Sequence, residues 1–361
     1  NYIEERNLLI QKGHIFSTNS EVETLLALYL EFGSNFVLRL NGQFAIVIWD
    51  GRNETLHLYR DRLGIRPLFC HRSNKGFIFA SEIKAIFQHE EVSPRLNPKS
   101  IAQTFRFWTN IGDTSSFEDI QQLPPGHHGI FKRKQMTVER YWNWPFPSEQ
   151  KPLKLSSDEE YFEAFSEELG ASVSRRKMAD VTIGSYLSGG IDSSILALSL
   201  SEQMDAKMLQ TYSIAFSDPE FDESSAQKKV VKHLGVANTE VLITANSISE
   251  VFPQVVWQAE APLFRTAPAP LFLLSRRVHE DGIKVVMTGE GADEILLGYD
   301  LFRETAIRRF WSRSPNSKWR GSLLRRLYAY LPQYQNPRYF QMLLDFYKSH
   351  LSDNGDPHYA M

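Results

Sequence analysis

The sequence predicts an α/β protein in two parts, an antiparallel-sheet region followed by a doubly wound parallel sheet. Three observations predict it. Up to about Pro145, short apolar or alternating runs are separated by turn signals such as Asp50-Gly51 and Asn74-Lys75-Gly76, and consecutive hairpins imply antiparallel strands. Beyond about residue 157, apolar strand runs alternate with helix-length segments, the pattern of a parallel sheet with crossover helices. The 361 residues exceed what one hydrophobic core usually serves, so two domains are expected.

In the first part, 23–30 reads as a helix with Leu25, Leu26, Leu28 and Tyr29 on its buried side. Strands follow over 44–49, 56–60, 67–72 and 77–80, then a helix over 81–87. Leu123-Pro124-Pro125-Gly126 turns the chain into a strand over 129–132. Pro145, Pro147 and Pro152 mark a linker over 143–157, between domains at 1–142 and 158–361. Ser157-x-x-Glu160 fits a capping box opening a helix over 161–175. The second part alternates strand 181–187, helix 195–200, strand 209–216, helix 223–234, strand 241–244, helix 270–279 and strand 283–287.

Composition narrows the function. Lys+Arg (40) nearly balances Asp+Glu (43), which argues against a general nucleic-acid binder. The lone cysteine, Cys70, permits no disulfide framework and reads as a small core residue, so a reducing cytoplasm is expected. No apolar run is long enough to span a bilayer, and no membrane role is expected. The ten histidines show no metal-ligand spacing, and His127-His128 reads as a solvated turn. Arg308, Arg309, Arg313, Arg320, Arg325 and Arg326 read as a solvated helix face or a contact with chain beyond Met361.

Ligands of a doubly wound sheet sit beyond the carboxyl ends of its strands, so two loops matter most. After Leu187 comes Ser188-Gly189-Gly190-Ile191-Asp192-Ser193-Ser194. Its glycines admit close backbone approach, and helix-start amides near Ser193 and Ser194 make an anion cradle. No Gly-Lys-Ser/Thr follows, so this is not the common phosphate loop. Asp192 is a candidate for Mg²⁺ against phosphate oxygens. The plainer reading is a tight turn capped by Asp or Ser. After Met287 comes Thr288-Gly289-Glu290-Gly291-Ala292-Asp293-Glu294, then Gly298-Tyr299. Such carboxylates between glycines suit Mg²⁺, a cationic amino group or proton transfer, or else the positive end of a helix; Glu294 fits the helix start best.

Together these loops resemble asparagine synthetase, and Ser213-Ile214-Ala215-Phe216 with Asp218-Pro219-Glu220-Phe221-Asp222-Glu223 is similar to that family's nucleotide-binding strand and loop. Asn41-Gly42-Gln43-Phe44-Ala45, Arg60-Asp61-Arg62-Leu63-Gly64-Ile65-Arg66-Pro67-Leu68 and Ser81-Glu82-Ile83-Lys84-Ala85 resemble its class II glutamine amidotransferase domain. The resemblance implies a truncated N-terminal-nucleophile (αββα) glutaminase domain, then an adenine-nucleotide hydrolase-like parallel sheet with added helices. It implies a cytoplasmic ligase of asparagine biosynthesis that uses ATP and Mg²⁺. Aspartate would become asparagine through β-aspartyl-AMP, with nitrogen from glutamine or ammonia, releasing AMP, pyrophosphate and, from glutamine, glutamate. Residue by residue, Leu187 and Ile214 match the adenosine pocket, and Ser188, Gly189, Gly190, Ser193 and Ser194 the pyrophosphate cradle. Thr288 and Gly289 match the other nucleotide loop, with threonine where serine is usual. Glu290 matches the catalytic glutamate, Asp192 and Asp293 the Mg²⁺–pyrophosphate side, and Glu21 the residue that holds the glutamine amino group, commonly aspartate. No nucleic acid is implied, and a homodimer is compatible with the reading.

The chain departs from the pattern in places. The family's N-terminal cysteine nucleophile is absent, and the chain reads as cut at both ends. Ala261 and Arg265 stand where many relatives carry acidic residues. Two other functions are therefore open: an amidotransferase or cyclase acting on a different carboxylate, and a nucleotide-binding module without turnover.

Overall fold

The computed structural model describes residues 1–73, 76–145, 154–179, 181–205, 208–327, 331–349 and 351. Asn74 and Lys75, and most of the expected linker, lie outside them. The chain divides into two compact units: Asn1–Thr182 with Tyr212–Ser224 and Thr239–Lys284, and Ile183–Thr211 with Ser225–Asn238 and Val285–Met361.

The first unit opens with two helices, α1 (Tyr2–Gln11) and α2 (Glu21–Phe32), and two antiparallel sheets follow. One sheet runs β1 (Ala45–Asp50), β2 (Thr55–Arg60), β6 (His127–Lys132), β7 (Gln135–Arg140); the other runs β4 (Phe77–Ala80), β3 (Phe69–Arg72), β5 (Ile120–Gln122). Strand alternation builds the layers. Ile46, Ile48 and Tyr59 face the helices, packing with Leu9, Leu28 and Phe36. Val47, Leu56 and Leu58 point the other way, to Leu68, Phe77 and Leu123 between the sheets. On the far side, α3 (Ile83–Ile86) covers Phe69, Ile78 and Ile120. Helix, sheet, sheet, helix is the αββα order. Each fully buried Leu, Ile or Phe contributes roughly 1.5–3 kcal/mol.

Asp61 explains why its motif is so polar inside a core. Its buried carboxylate accepts from the amides of Leu63 (3.1 Å), Ile65 (3.0 Å), Arg66 (2.9 Å) and Phe44 (3.3 Å), while Arg60 donates to the carbonyls of Gly64, Arg66 and Leu123. The helix α2 buries Leu28 and Tyr29 but leaves Leu26 exposed, correcting one residue of the expected face. His128 is also corrected. It lies in β6 opposite Tyr59 and is buried, with its Nε2 3.0 Å from His57 Nδ1. Burial pushes the His128 imidazole down to about 4, and His57 down as well. Cys70 is a buried core thiol, as read, raised to about 11 by burial.

The helix α4 (Pro98–Phe107) follows an Asn97 cap with proline in its first turn, a signal that periodicity alone does not display. The helix α5 (Asp158–Arg176) starts at Ser157, whose hydroxyl accepts from the Glu160 amide. The helices α8 (Ala245–Ala259) and α9 (Pro268–Glu280) pack Val251, Val255 and Leu273 around Ile243. Thr244, expected inside a strand, is instead the cap of α8, in a reciprocal box with Ser247. Pro253 inside α8 breaks the sequence signal for that helix.

The remaining sheet has the order β10 (Ala237–Ile243), β9 (Gln210–Phe216), β8 (Ile183–Tyr186), β11 (Val285–Met287). The helices α6 (Ile191–Gln203) and α7 (Ser224–Leu234) connect successive strands, and β11 runs parallel to β8. From β8 the chain therefore builds outward in one direction and returns with β11 on the other side. That reversal is the topological switch point of a doubly wound sheet.

In the second unit, α11 (Asp300–Ser312), α12 (Leu324–Leu327), α13 (Pro332–Gln335) and α14 (Pro337–Ser349) pack around Trp311, Leu324, Tyr334, Phe340 and Tyr347. Arg309, Arg313, Arg325 and Arg326 are exposed, but Arg308 is fully buried. It lies 3.6 Å from Glu304, with its guanidinium 5.2 Å from the Tyr347 ring centroid. A buried cation needs such partners, which a sequence run of arginines does not reveal.

Candidate functional site

The switch point places the candidate site at the carboxyl ends of β8 and β11. Buried Leu187 follows directly on β8, and the chain must then turn sharply. Gly189 adopts φ +82, and a Cβ there would lie 2.9 Å from the Gln227 amide and 3.1 Å from the Ala226 Cβ on α7. Only glycine meets both conditions. Gly190 then caps α6 without a side chain, so the first helix amides are left facing the loop. The turn is tied by hydroxyls. The Ser188 amide donates to Ser193 Oγ (3.1 Å), the two serine oxygens are 2.9 Å apart, and the Gly190 amide donates to Ser188 Oγ (3.2 Å). Ser193 and Ser194 both donate to the Gly190 carbonyl, at 3.2 and 2.7 Å. The helix begins at Ile191, four residues before the expected start, so Asp192 and both serines lie in its first turns. Asp192 is exposed and does not serve as the cap of the plainer reading.

The second loop leaves alongside the first. Val285, Val286 and Met287 pair with Ile183, Gly184 and Ser185, and the Ser185 hydroxyl donates to the Met287 carbonyl at 3.2 Å. The chain then passes through Thr288 to Gly289. A Cβ on Gly289 would lie 3.2 Å from the Asp192 Cβ and 3.2 Å from the Ser193 amide nitrogen. The two loops thus share one surface. Glu290 is exposed, and Gly291, at φ +89, caps the short α10 (Ala292–Leu296). The Asp293 carboxylate lies back against Gly298, at a distance no Cβ could share. Glu294 accepts from the Tyr299 hydroxyl at 2.9 Å, which raises that phenol. Its partner is therefore a local tyrosine, in keeping with the helix-start reading.

Among the described residues, no group of three or more His, Cys, Asp or Glu side chains could hold a metal ion. Mg²⁺, however, is commonly held by one or two carboxylates with phosphate oxygens and water, and Asp192 and Asp293 fit that donor set.

Ile214 and Glu21 belong to the other compact unit. Ile214 sits in β9 and packs against the core around Ile243 and Val251. Glu21 is exposed in the first turn of α2, after the Ser20 cap. Two residues on, Glu23, which belongs to no motif above, accepts from the amides of Ser17 and Thr18 (2.8 Å each) and the Thr18 hydroxyl (2.6 Å). It pins the loop entering the helix, and those bonds lower its carboxyl.

The fold and its paired loops define an adenine-nucleotide hydrolase-like α/β protein joined to an αββα region. The chain belongs to the asparagine synthase family: that family matches residues 164–359, and the glutamine amidotransferase domain matches residues 1–142. Similar proteins include "Asparagine synthetase [glutamine-hydrolyzing] 1" of Bacillus subtilis, 29% identical over 88% of this chain and 49% of that protein. "Amidase chry2" of Gibberella zeae is 31% identical and "Amidase chyE" of Penicillium rubens 32% identical, each over 84% of this chain and 46% of that protein. The chain spans about half the length of the curated relatives it matches. Among the described residues, no helix is long and apolar enough to cross a membrane.

Proposed function

We propose that this protein is an ATP-dependent, glutamine-using ligase that converts aspartate to asparagine, and that its amide-forming site is the surface shared by the loops after β8 and β11. The observation that carries the reading is the contact of Gly289 with Asp192 and Ser193 at the switch point. Family membership supports it.

In this reading the amides of the Ser188–Ser194 turn and the start of α6 hold the pyrophosphate portion of ATP, and Leu187 borders the adenosine. Thr288 and Gly289 flank the nucleotide from the second loop. The acceptor carboxylate attacks the α-phosphorus, pyrophosphate leaves, and β-aspartyl-AMP forms. Ammonia then displaces AMP to give asparagine. Glu290, exposed beside this surface, serves the formation and consumption of the adenylate by holding the acceptor and accepting a proton from the incoming nitrogen. Asp192 and Asp293 would hold Mg²⁺, whose charge offsets that developing on pyrophosphate. Glu21 would bind the glutamine amino group.

A second reading is favoured by one specific observation: two fungal relatives, each about as similar to this chain as the bacterial synthetase, carry the name amidase. In this reading the chemistry is the same and the acceptor is a different carboxylate. One experiment tests both: the whole protein is given ATP, Mg²⁺, ammonia and a panel of carboxylates. AMP and pyrophosphate with aspartate are expected. ADP would overturn the cleavage mode, and turnover with another acid alone would transfer the assignment to the second reading.

A further inference from the structure

Glu260 lies in the region matched by the asparagine synthase family, and Ile83 and Lys84 in the region matched by the amidotransferase domain. The Glu260 carboxylate joins them. Its Oε2 accepts from the Ile83 amide at 2.7 Å and its Oε1 from the Lys84 amide at 2.6 Å. The Lys84 ammonium adds a contact at 3.3 Å and also reaches Glu82 at 3.0 Å. The Glu260 side chain is only 10% exposed, so these bonds are shielded from water.

The backbone makes the choice of residue informative. Glu260 ends α8 at φ 53, ψ 25, in the left-handed region that favours glycine. A chain reversal alone would be met by glycine or asparagine with less crowding. Glutamate adopts this conformation and delivers a carboxylate to amides 177 and 176 residues earlier in the chain. Further along the same loop is a second grip. The Phe264 ring packs 5.2 Å from Phe105 and 6.1 Å from Trp108, and Arg265 lies over Trp108. Beside the Glu260 contact is a cavity of about 390 Å³, lined by Lys84, Phe87, Leu96 and Phe117 from the amidotransferase-type region and by Pro253, Val256, Trp257 and Glu260 from α8 and its end. Apolar packing does not fill that part of the seam, and the Glu260 bonds span it.

We infer that Glu260 is a positioning residue that holds the amidotransferase-type region in register with the α8–α9 hairpin, so that nitrogen released in one region reaches the adenylate formed in the other. The holding role stands on geometry alone, and the transfer role rests on the proposed function.

The test compares the whole wild-type protein with Glu260→Gln, which keeps the shape, and Glu260→Gly, which relieves the backbone and removes the carboxylate. Hydrogen exchange over residues 81–86 is expected to speed up by at least about tenfold in Glu260→Gly and by less in Glu260→Gln. The glutamine-driven rate of AMP formation should fall by about tenfold while the ammonia-driven rate and the KM for ATP stay within about twofold. Unchanged exchange in both variants overturns the holding role. Faster exchange with an unchanged glutamine-to-ammonia ratio overturns the transfer role. A wild type that forms no AMP with either nitrogen source overturns the proposed function and the transfer role with it, and exchange then decides the holding role by itself.

Discussion

Gly289 rests against Asp192 so closely that the smallest side chain would meet the Asp192 Cβ and the Ser193 amide at 3.2 Å. This contact brings two distant segments into one surface, the one that the proposed function assigns to ATP. It also sets a tolerance, because neighbours at that distance must give way by a few tenths of an ångström to admit a methyl group.

The Gly289→Ala variant is therefore expected to lose about tenfold in ATP-dependent pyrophosphate release, since small displacements of a positioned group cost much in rate. Its stability should change by less than about 1 kcal/mol. A coupled pyrophosphate assay beside thermal melting checks both. An unaltered rate would mean that the loops do not meet around the reacting phosphate.

Gly189 and Gly190 should separate cleanly. At Gly189 an alanine meets φ +82 and a backbone amide at 2.9 Å, so Gly189→Ala is expected to cost about 1–3 kcal/mol in urea unfolding. At Gly190, with φ −73 and the Ser188 hydroxyl at 3.3 Å, the same change should cost less than about 1 kcal/mol. Equal losses would contradict the turn geometry.

Glu290 is exposed, so Glu290→Ala should leave stability within about 0.5 kcal/mol. AMP formation should drop by at least about a hundredfold, the range expected for a positioned acid or base. A retained rate removes Glu290 from the chemistry.

The buried histidine pair predicts an acid-sensitive core. His57 and His128 have folded-state values depressed below the ordinary one, His128 to about 4, so the unfolded chain binds more protons as pH falls below about 6.5. Stability should thus be full above about pH 7 and decline from about pH 6.5 toward pH 4. Urea midpoints across that range check it, and a His57→Phe/His128→Phe double variant should flatten the curve. A flat wild-type curve would contradict the buried, neutral pair.

The fold class and both loops were legible because their signals are local: hairpin turns, strand–helix alternation and glycines at strand ends. The loop after β8 announces itself through Gly189, whose backbone and neighbours exclude any side chain. What stayed hidden depends on partners far along the chain. The burial of His128 follows from β6 pairing with β2, and the burial of Arg308 from the approach of Glu304 and Tyr347. No short window contains those facts. Thr244 read as strand because its apolar neighbours continue the pattern, while its hydroxyl serves the next helix. Pro253 hid α8 because a proline usually ends a helix.

The pairing of Ser185 with Met287 spans 102 positions of the chain. A growing polypeptide that has left the ribosome only as far as β9 holds the first loop without its counterpart. The surface shared by the two loops can close only once β11 has been synthesised and inserted beside β8. A ligand that needs both loops, as the proposed function has it for ATP, would favour completed molecules over nascent ones.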